Sequence, residues 1–220
     1  MLLTARQVHT RPRLVSMANG TPDLDRHFLR LLAHHEHLCP RQVLGVRMGM
    51  HAAGLLGLDL PSDSRRTFAV VETDGCFADA ISVATGCWLG KRNLRLADYG
   101  KVAVTLVDTS SMRGVRVYPH PLARLRAQGY APTAATRWHA QLEAYQRMPA
   151  QQLLCHESVR LVGLLAERLA EPMQRVVCSA CGEEVINARD LAVGTRDLCR
   201  ACAESAYYEL ELEPRIAVAA

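Results

Sequence analysis

Two groups of residues in this chain have the types and the spacing to do chemistry. The first is a pair of Cys-x-x-Cys turns, Cys178/Cys181 and Cys199/Cys202, separated by 17 residues. Four thiolates offered by two chelating turns suit a tetrahedral ion, and the expected occupant is a structural Zn2+ with no open position for chemistry. The second group lies upstream, where His35, His37 and Cys39 alternate just before Pro40. It continues as Glu72-Thr73-Asp74-Gly75-Cys76, then Asp79, then Cys87. In an extended segment, residues two apart point the same way, so His35, His37 and Cys39 are expected to converge as half of a core metal site. Cys76, opening the next helix, is expected to complete that site for Zn2+ or Fe2+, with Asp79 one turn further on a similar face. Glu72 and Asp74 are expected behind the imidazoles, as partners that fix their tautomers. A thiol at the entrance of a helix starting at Pro40 would face unpaired N–H groups, which favours its thiolate as ligand or nucleophile.

Lysine is the scarce basic residue. Of 26 basic side chains only Lys91 and Lys101 are lysines. Arginine stays charged, whereas an ammonium can be tuned by burial to act as acid, base or anion anchor. Both lysines follow the Glu72–Cys87 run and neighbour Asn93 and Asp98. The expected catalytic set is therefore Cys39, Asp79, Lys91 and Lys101, with Cys87, Asn93 and Asp98 lining the pocket. Cys87 and Cys155 also suit the role of small buried apolar residues.

These residues need elements to hold them. Apolar spacing predicts a helix from Pro22 to about His34 and a second from Pro40 to about Gly57. Thr67 to Glu72 reads as a buried strand, and Phe77 to Ala84 as a short helix stopped by Gly86. Lys101 to Asp108 and Gly114 to Tyr118 read as strands paired through the Ser110–Gly114 turn. Helices are expected over Pro119 to Gln128, Ala134 to Met148 and most of Pro149 to Leu169, and again from Ala201 to Leu210. The order lacks a regular βαβ alternation, which predicts an α+β core with a mixed sheet and a small four-cysteine zinc finger, treble-clef-like or ribbon-like. The expected domains are a flexible arm over residues 1–21, a metal-binding core over 22–170 and the finger over 171–220, with a hinge at Glu171-Pro172.

The whole chain of 220 residues, with 49% apolar content and a formal charge of +4, suits a globular protein with one good core. A mild positive charge makes neither nucleic acid nor an anionic membrane a required partner, and no apolar run approaches the ~20 residues of a membrane span. Arg6, Arg11 and Arg13 precede no continuous apolar stretch, which fails the secretory pattern. Eight cysteines in metal-like spacing predict a reducing compartment, the cytoplasm.

The motifs together resemble the FmdE family, which takes its name from a component of formylmethanofuran dehydrogenase. The resemblance runs through His35-Glu-His37-Leu-Cys39-Pro40, Leu44-Gly45-Val-Arg47-Met48, Glu72-Thr-Asp74-Gly-Cys76-Phe-Ala-Asp79, Thr85-Gly86-Cys87 and Asp98-Tyr99-Gly100-Lys101. It implies an α+β core, a homodimer, a metal pocket lined by the His-x-His-x-Cys motif and the downstream cysteine, and a zinc finger behind. Glu36, Ser82, Trp88 and Arg92 depart from the family's usual Gly, Gln, Thr and Gly, so substrate identity does not carry over. Three functions are compatible with the resemblance. One is a metal-dependent enzyme acting on a small-molecule or anionic ligand. Another is an accessory protein delivering metal or sulfur to a molybdenum or tungsten oxidoreductase, and the third is a zinc-stabilised binding or sensor module.

Overall fold

The computed structural model describes residues 22–62, 64, 66–162 and 174–209. The expected N-terminal arm, the Glu171-Pro172 hinge and the stretch 163–169 lie outside the described residues. The chain divides into two compact units, residues 1–161 and 162–220.

The first unit is an α+β core. Helices α1 (Pro22–Leu32) and α2 (Pro40–Leu56) come first, then β1 (Thr67–Val71) and α3 (Cys76–Thr85). Strands β2 (Leu94–Leu96), β3 (Val104–Asp108) and β4 (Arg113–Pro119) follow, then α4 (Ala123–Tyr130), α5 (Arg137–Arg147), α6 (Ala150–Leu153) and β5 (Leu154–Val159). The sheet order is β2-β1-β3-β4-β5, parallel between β1 and β2 and antiparallel elsewhere. Strands β1 and β3 are buried along their whole length, in keeping with a β-branched and apolar sequence that only Asp108 interrupts, at the end of β3. Helix α2 is the hub: Val43, Val46, Met48 and Ala52 are buried, and the helix packs on α3, α5, β3 and β4.

Two expectations are corrected here. The segment after Pro149 is not one helix: after the single turn of α6, residues Leu154–Val159 pair antiparallel with β4 and form the sheet edge. Its outer residues His156, Glu157 and Ser158 are exposed, so the apolar alternation that announces a half-buried strand is missing. The tail helix is also short. This helix, α7, spans Arg200–Ala203, and residues 204–209 are not helical. Strand β2 went unpredicted, since three residues carry no readable period.

The β3–β4 hairpin turn is tied by one carboxylate. Asp108 is buried and accepts from Arg66 Nε at 2.8 Å and Nη2 at 2.9 Å, and from the Ser110 and Ser111 hydroxyls at 2.7 and 2.8 Å. The Arg66 guanidinium foremost, helped by the serines, holds this carboxyl well below the usual carboxylate range. A carboxyl depressed by folding adds stability above its unfolded pKa of ~3.9, and that stability is lost as pH falls towards the folded value. Asp108→Asn is therefore expected to cost about 1–3 kcal/mol at neutral pH. Denaturant titrations of both proteins across pH should converge as the solution is acidified below ~pH 3. A pH-independent difference would contradict this role.

The second unit carries β6 (Arg175–Val177), β7 (Glu184–Ile186), β8 (Leu191–Val193), β9 (Arg196–Leu198) and α7. Hairpin β6–β7 presents Cys178 and Cys181, hairpin β8–β9 leads to Cys199, and α7 carries Cys202. Knuckle, hairpin and helix in that order make a treble-clef-like finger.

Candidate functional site

Small residues bring the two helix entrances together. On α2, a Cβ at Gly45 would lie 2.6 Å from the Ala80 Cβ and one at Gly49 would lie 2.8 Å from the Ala84 Cβ. Each advance of four residues along α2 matches four along α3, so the helices run parallel in close contact. Adding a methyl into such a crossing costs about 1–3 kcal/mol. The consequence is chemical: both N-termini emerge at the same end. Cys39 is the N-cap of α2, and its backbone N–H donates to Gln42 Oε1 at 2.7 Å. Cys76 is the first residue of α3, entered through Gly75 at φ 72° and ψ −158°, a conformation essentially confined to glycine.

The Cys39 and Cys76 sulfurs lie 3.1 Å apart, both part-buried. That exceeds a disulfide's ~2.05 Å and falls short of the ~3.8 Å edge of a tetrahedral Zn–S site. Both thiols are free. Burial, then the neighbouring Cys39, pushes the Cys76 thiol up to about 11, with Arg41 opposing. Two thiolates this close need a cation between them, and a bound metal would draw off both protons.

The histidines are arranged differently from expectation. His35 Nε2 meets Asp79 Oδ2 at 3.1 Å, so the carboxylate that holds an imidazole is Asp79. His37 is exposed, and residues 36 and 37 form a bend. The expected alignment of His35, His37 and Cys39 needed an extended segment, and the bend removes it. Among the described residues, only Cys178, Cys181, Cys199 and Cys202 bring three or more ligand atoms within 4.8 Å of one another.

The thiol pair opens onto a cavity of about 840 Å3 whose wall includes Arg41, Lys101, Arg116, Arg124, Tyr118 and Trp138. Lys101 and the two thiols thus line one cavity. Lys91 lines a separate cavity of about 330 Å3 with Trp88 and His34, and its Nζ donates to the Gly86 carbonyl at 3.4 Å. Glu72 is buried and accepts from Arg116 Nε at 2.6 Å and Nη2 at 2.9 Å. Its backbone carbonyl accepts from the Tyr99 and Lys101 N–H groups, which fixes the loop carrying Lys101. Asp98 accepts from the Gly100 N–H in that loop, and Asp74 is exposed beside Gly75. Asn93 is structural, bridging the Trp88 N–H and the Thr67 carbonyl. Cys87 is fully buried beneath the same carbonyl, and burial pushes its thiol up to about 11.

Sequence reasoning missed Arg41, Arg116, Arg124, Tyr118 and Trp138, whose contribution depends on β4 and α5 packing on α2 and on α4 packing on α5. Arg47 has a clear structural task. Its guanidinium donates to the carbonyls of Tyr145, Gln146 and Met148 at 2.8, 3.0 and 2.7 Å, which anchors the end of α5. Cys155 and His156 are neighbours on a strand and face opposite sides, so they form no nucleophile–base pair. His156 Nδ1 instead meets His51 Nε2 at 3.3 Å. Burial, followed by His156 and Arg47, lowers the His51 pKa.

In the finger, Cys181 and Cys199 sulfurs are 3.9 Å apart, close to the ~3.8 Å tetrahedral edge. The Cys199 N–H donates to the Cys178 sulfur at 3.3 Å. Backbone N–H groups of Cys181, Cys199 and Ala180 pull the Cys178 thiol down to about 6, while Cys199 and Cys181 push Cys202 up to about 12. This cluster can hold a metal ion and fits a zinc finger.

Paired helix entrances bearing thiols, a mixed five-stranded sheet and a four-cysteine finger define an α+β protein with a tail that can hold a metal ion. The family described as FmdE, Molybdenum formylmethanofuran dehydrogenase operon, matches residues 34–155, more than half of the chain. The chain belongs to the FmdE family. A crystal structure of a tungsten formylmethanofuran dehydrogenase FmdE-like protein from Syntrophus aciditrophicus shares the fold, with TM-score 0.59 and 22% identity over 84% of this chain and 95% of that one. A probable S-adenosyl-L-methionine-binding protein of Archaeoglobus fulgidus is 41% identical over 104 residues, 46% of this chain. The chain spans only 28% of that relative's length. Among the described residues, no helix is long and apolar enough to cross a membrane.

Proposed function

We propose that the protein is a metal-dependent enzyme whose core ion is held by Cys39 and Cys76 and reached by His35 on binding, and whose substrate occupies the adjoining cavity. One observation carries this reading: two free sulfurs 3.1 Å apart, set at parallel helix entrances in a cavity wall. An ion bound there supplies Lewis acidity towards a carbonyl or water. The chain's own groups do the rest. Asp79 orients His35, both thiols give up their protons on ion binding against the burial that raises Cys76, and Lys101, on a loop fixed by the Glu72 carbonyl, binds an anionic group or moves a proton. The four tail cysteines hold a structural Zn2+. The protein works as a cytoplasmic homodimer in this proposal.

Cobalt loading tests it. Co2+ bound by thiolates absorbs through sulfur-to-metal charge transfer, so wild type should show contributions from both sites. Cys76→Ser should lose the core share and keep the tail share. A spectrum unchanged in Cys76→Ser would refute the core site.

A second reading is an accessory role for a molybdenum or tungsten enzyme, supported by the operon in the family's description and by cavity-facing thiols. It predicts that a cysteine desulfurase leaves one extra sulfur atom on Cys39 or Cys76, read by mass spectrometry; no such gain counts against it. The Archaeoglobus relative's name raises S-adenosyl-L-methionine as a ligand. That molecule carries a sulfonium and an ammonium against one carboxylate, a poor match for a cavity walled by arginine and lysine.

A further inference from the structure

The charges around the cavity are one-sided. Among the described residues no Asp or Glu side chain lines it, while Arg41, Lys101, Arg116, Arg124 and His120 do. Glu72 and, at 3.7 Å, Glu157 engage Arg116. Among the described residues, Arg41, Lys101 and Arg124 enter no ion pair. Three cations around one concavity repel each other, an arrangement relieved by an anion. The aromatic content is equally local. Tyr118, Trp138 and Tyr145 join the wall, although aromatic residues make up only 5% of the chain. Trp138 is 40% exposed in the first turn of α5, its ring edge-to-face with His139 at 5.0 Å. The Arg116 guanidinium already lies 5.0 Å from the Tyr118 ring, so this wall favours stacking. A cavity of about 840 Å3 suits a ligand of nucleotide or drug size rather than a bare oxyanion.

We propose that this cavity binds a small-molecule anion bearing a planar ring. Arg41, Lys101 and Arg124 take its acidic group, Tyr118 and Trp138 take its ring, and its reacting end lies towards Cys39 and Cys76. The orientation rests on the enzyme reading above; the binding of a ring-bearing anion does not.

Isothermal titration of the full-length protein separates the cases, with 1-naphthyl phosphate, 1-naphthoate, inorganic phosphate and neutral 1-naphthol as probes. At least one naphthyl anion should bind ten-fold or more tightly than inorganic phosphate, and 1-naphthol should not bind measurably. The phosphate and carboxylate probes distinguish which acid the site prefers. Arg124→Gln and Lys101→Gln, each checked for folding by circular dichroism, should weaken the naphthyl anions about ten-fold. Trp138→Ala should weaken them and leave inorganic phosphate unchanged. Binding should persist in Cys39→Ser/Cys76→Ser, where the core ion is expected to be lost, so metal content and anion affinity fail separately. The proposal is overturned if 1-naphthol binds as tightly as the anions, if neither naphthyl anion outbinds phosphate, or if anion binding disappears with the thiols and survives both cation substitutions.

Discussion

Cys199→Ser is expected to unfold the C-terminal module, residues 174–209, and to leave the core's secondary structure in place. The reason is the module's poverty of core. Among its described residues only Cys178 and Leu198 are buried apolar side chains, while Val177, Ile186, Val193 and Tyr207 are exposed. Its strands are three residues long and its helix is one turn. Such a piece cannot offset its chain entropy by burial. Metal binding can supply on the order of 10 kcal/mol in modules of this kind, and removing one of four thiolates forfeits most of that. Limited proteolysis read by mass spectrometry should place new cleavages of the variant after residue 174 and spare the core. A strong chelator should produce the same pattern in wild type. A protease-resistant tail in Cys199→Ser would show that the module folds without its ion.

The second large effect belongs to the core. Asp79→Asn is expected to weaken core metal affinity about 10–100-fold, the usual consequence of losing the carboxylate behind a ligating imidazole. The geometry makes the effect specific, because Asp79 Oδ2 sits 3.1 Å from His35 Nε2 and on the same helix as Cys76. The exchange keeps size and helix context, so the fold should survive. Competition against a chromophoric chelator measures the change. His35→Ala should match or exceed it, and His37→Ala should fall well below, since His37 lies exposed beyond the bend. Equal losses for His35→Ala and His37→Ala would show that the bend straightens on binding and would restore the three-residue convergence expected from spacing.

That contrast shows what the sequence could and could not convey. The pairing of Cys39 with Cys76 was legible, because a proline at the start of one helix and a glycine before the other fix both thiols at N-termini. What made them meet was the small-residue crossing of Gly45 and Gly49 on Ala80 and Ala84, which spacing alone did not announce. The four-cysteine cluster of the tail was legible, since its chelating turns are local, whereas the length of its helix was not. The β3–β4 hairpin was legible from its Ser110–Gly114 turn between two strand-like runs. His37 misled because a period-2 argument assumes extended backbone, and residues 36 and 37 bend. Lys91 misled because nearness in sequence to Lys101 did not become nearness in space, and the two line different cavities. The cationic and aromatic wall stayed hidden because its members come from the start of α2, the end of β4, α4 and α5, and converge only through long-range packing.

Elemental analysis of purified full-length protein tests the central claim most directly. Wild type should carry about two metal ions per chain, one in the finger and one between the core thiols. Cys39→Ser/Cys76→Ser should carry one, held by the tail, with an unchanged proteolytic pattern after residue 174. One ion per chain in both proteins, or two in the double variant, would contradict a metal centre at Cys39 and Cys76.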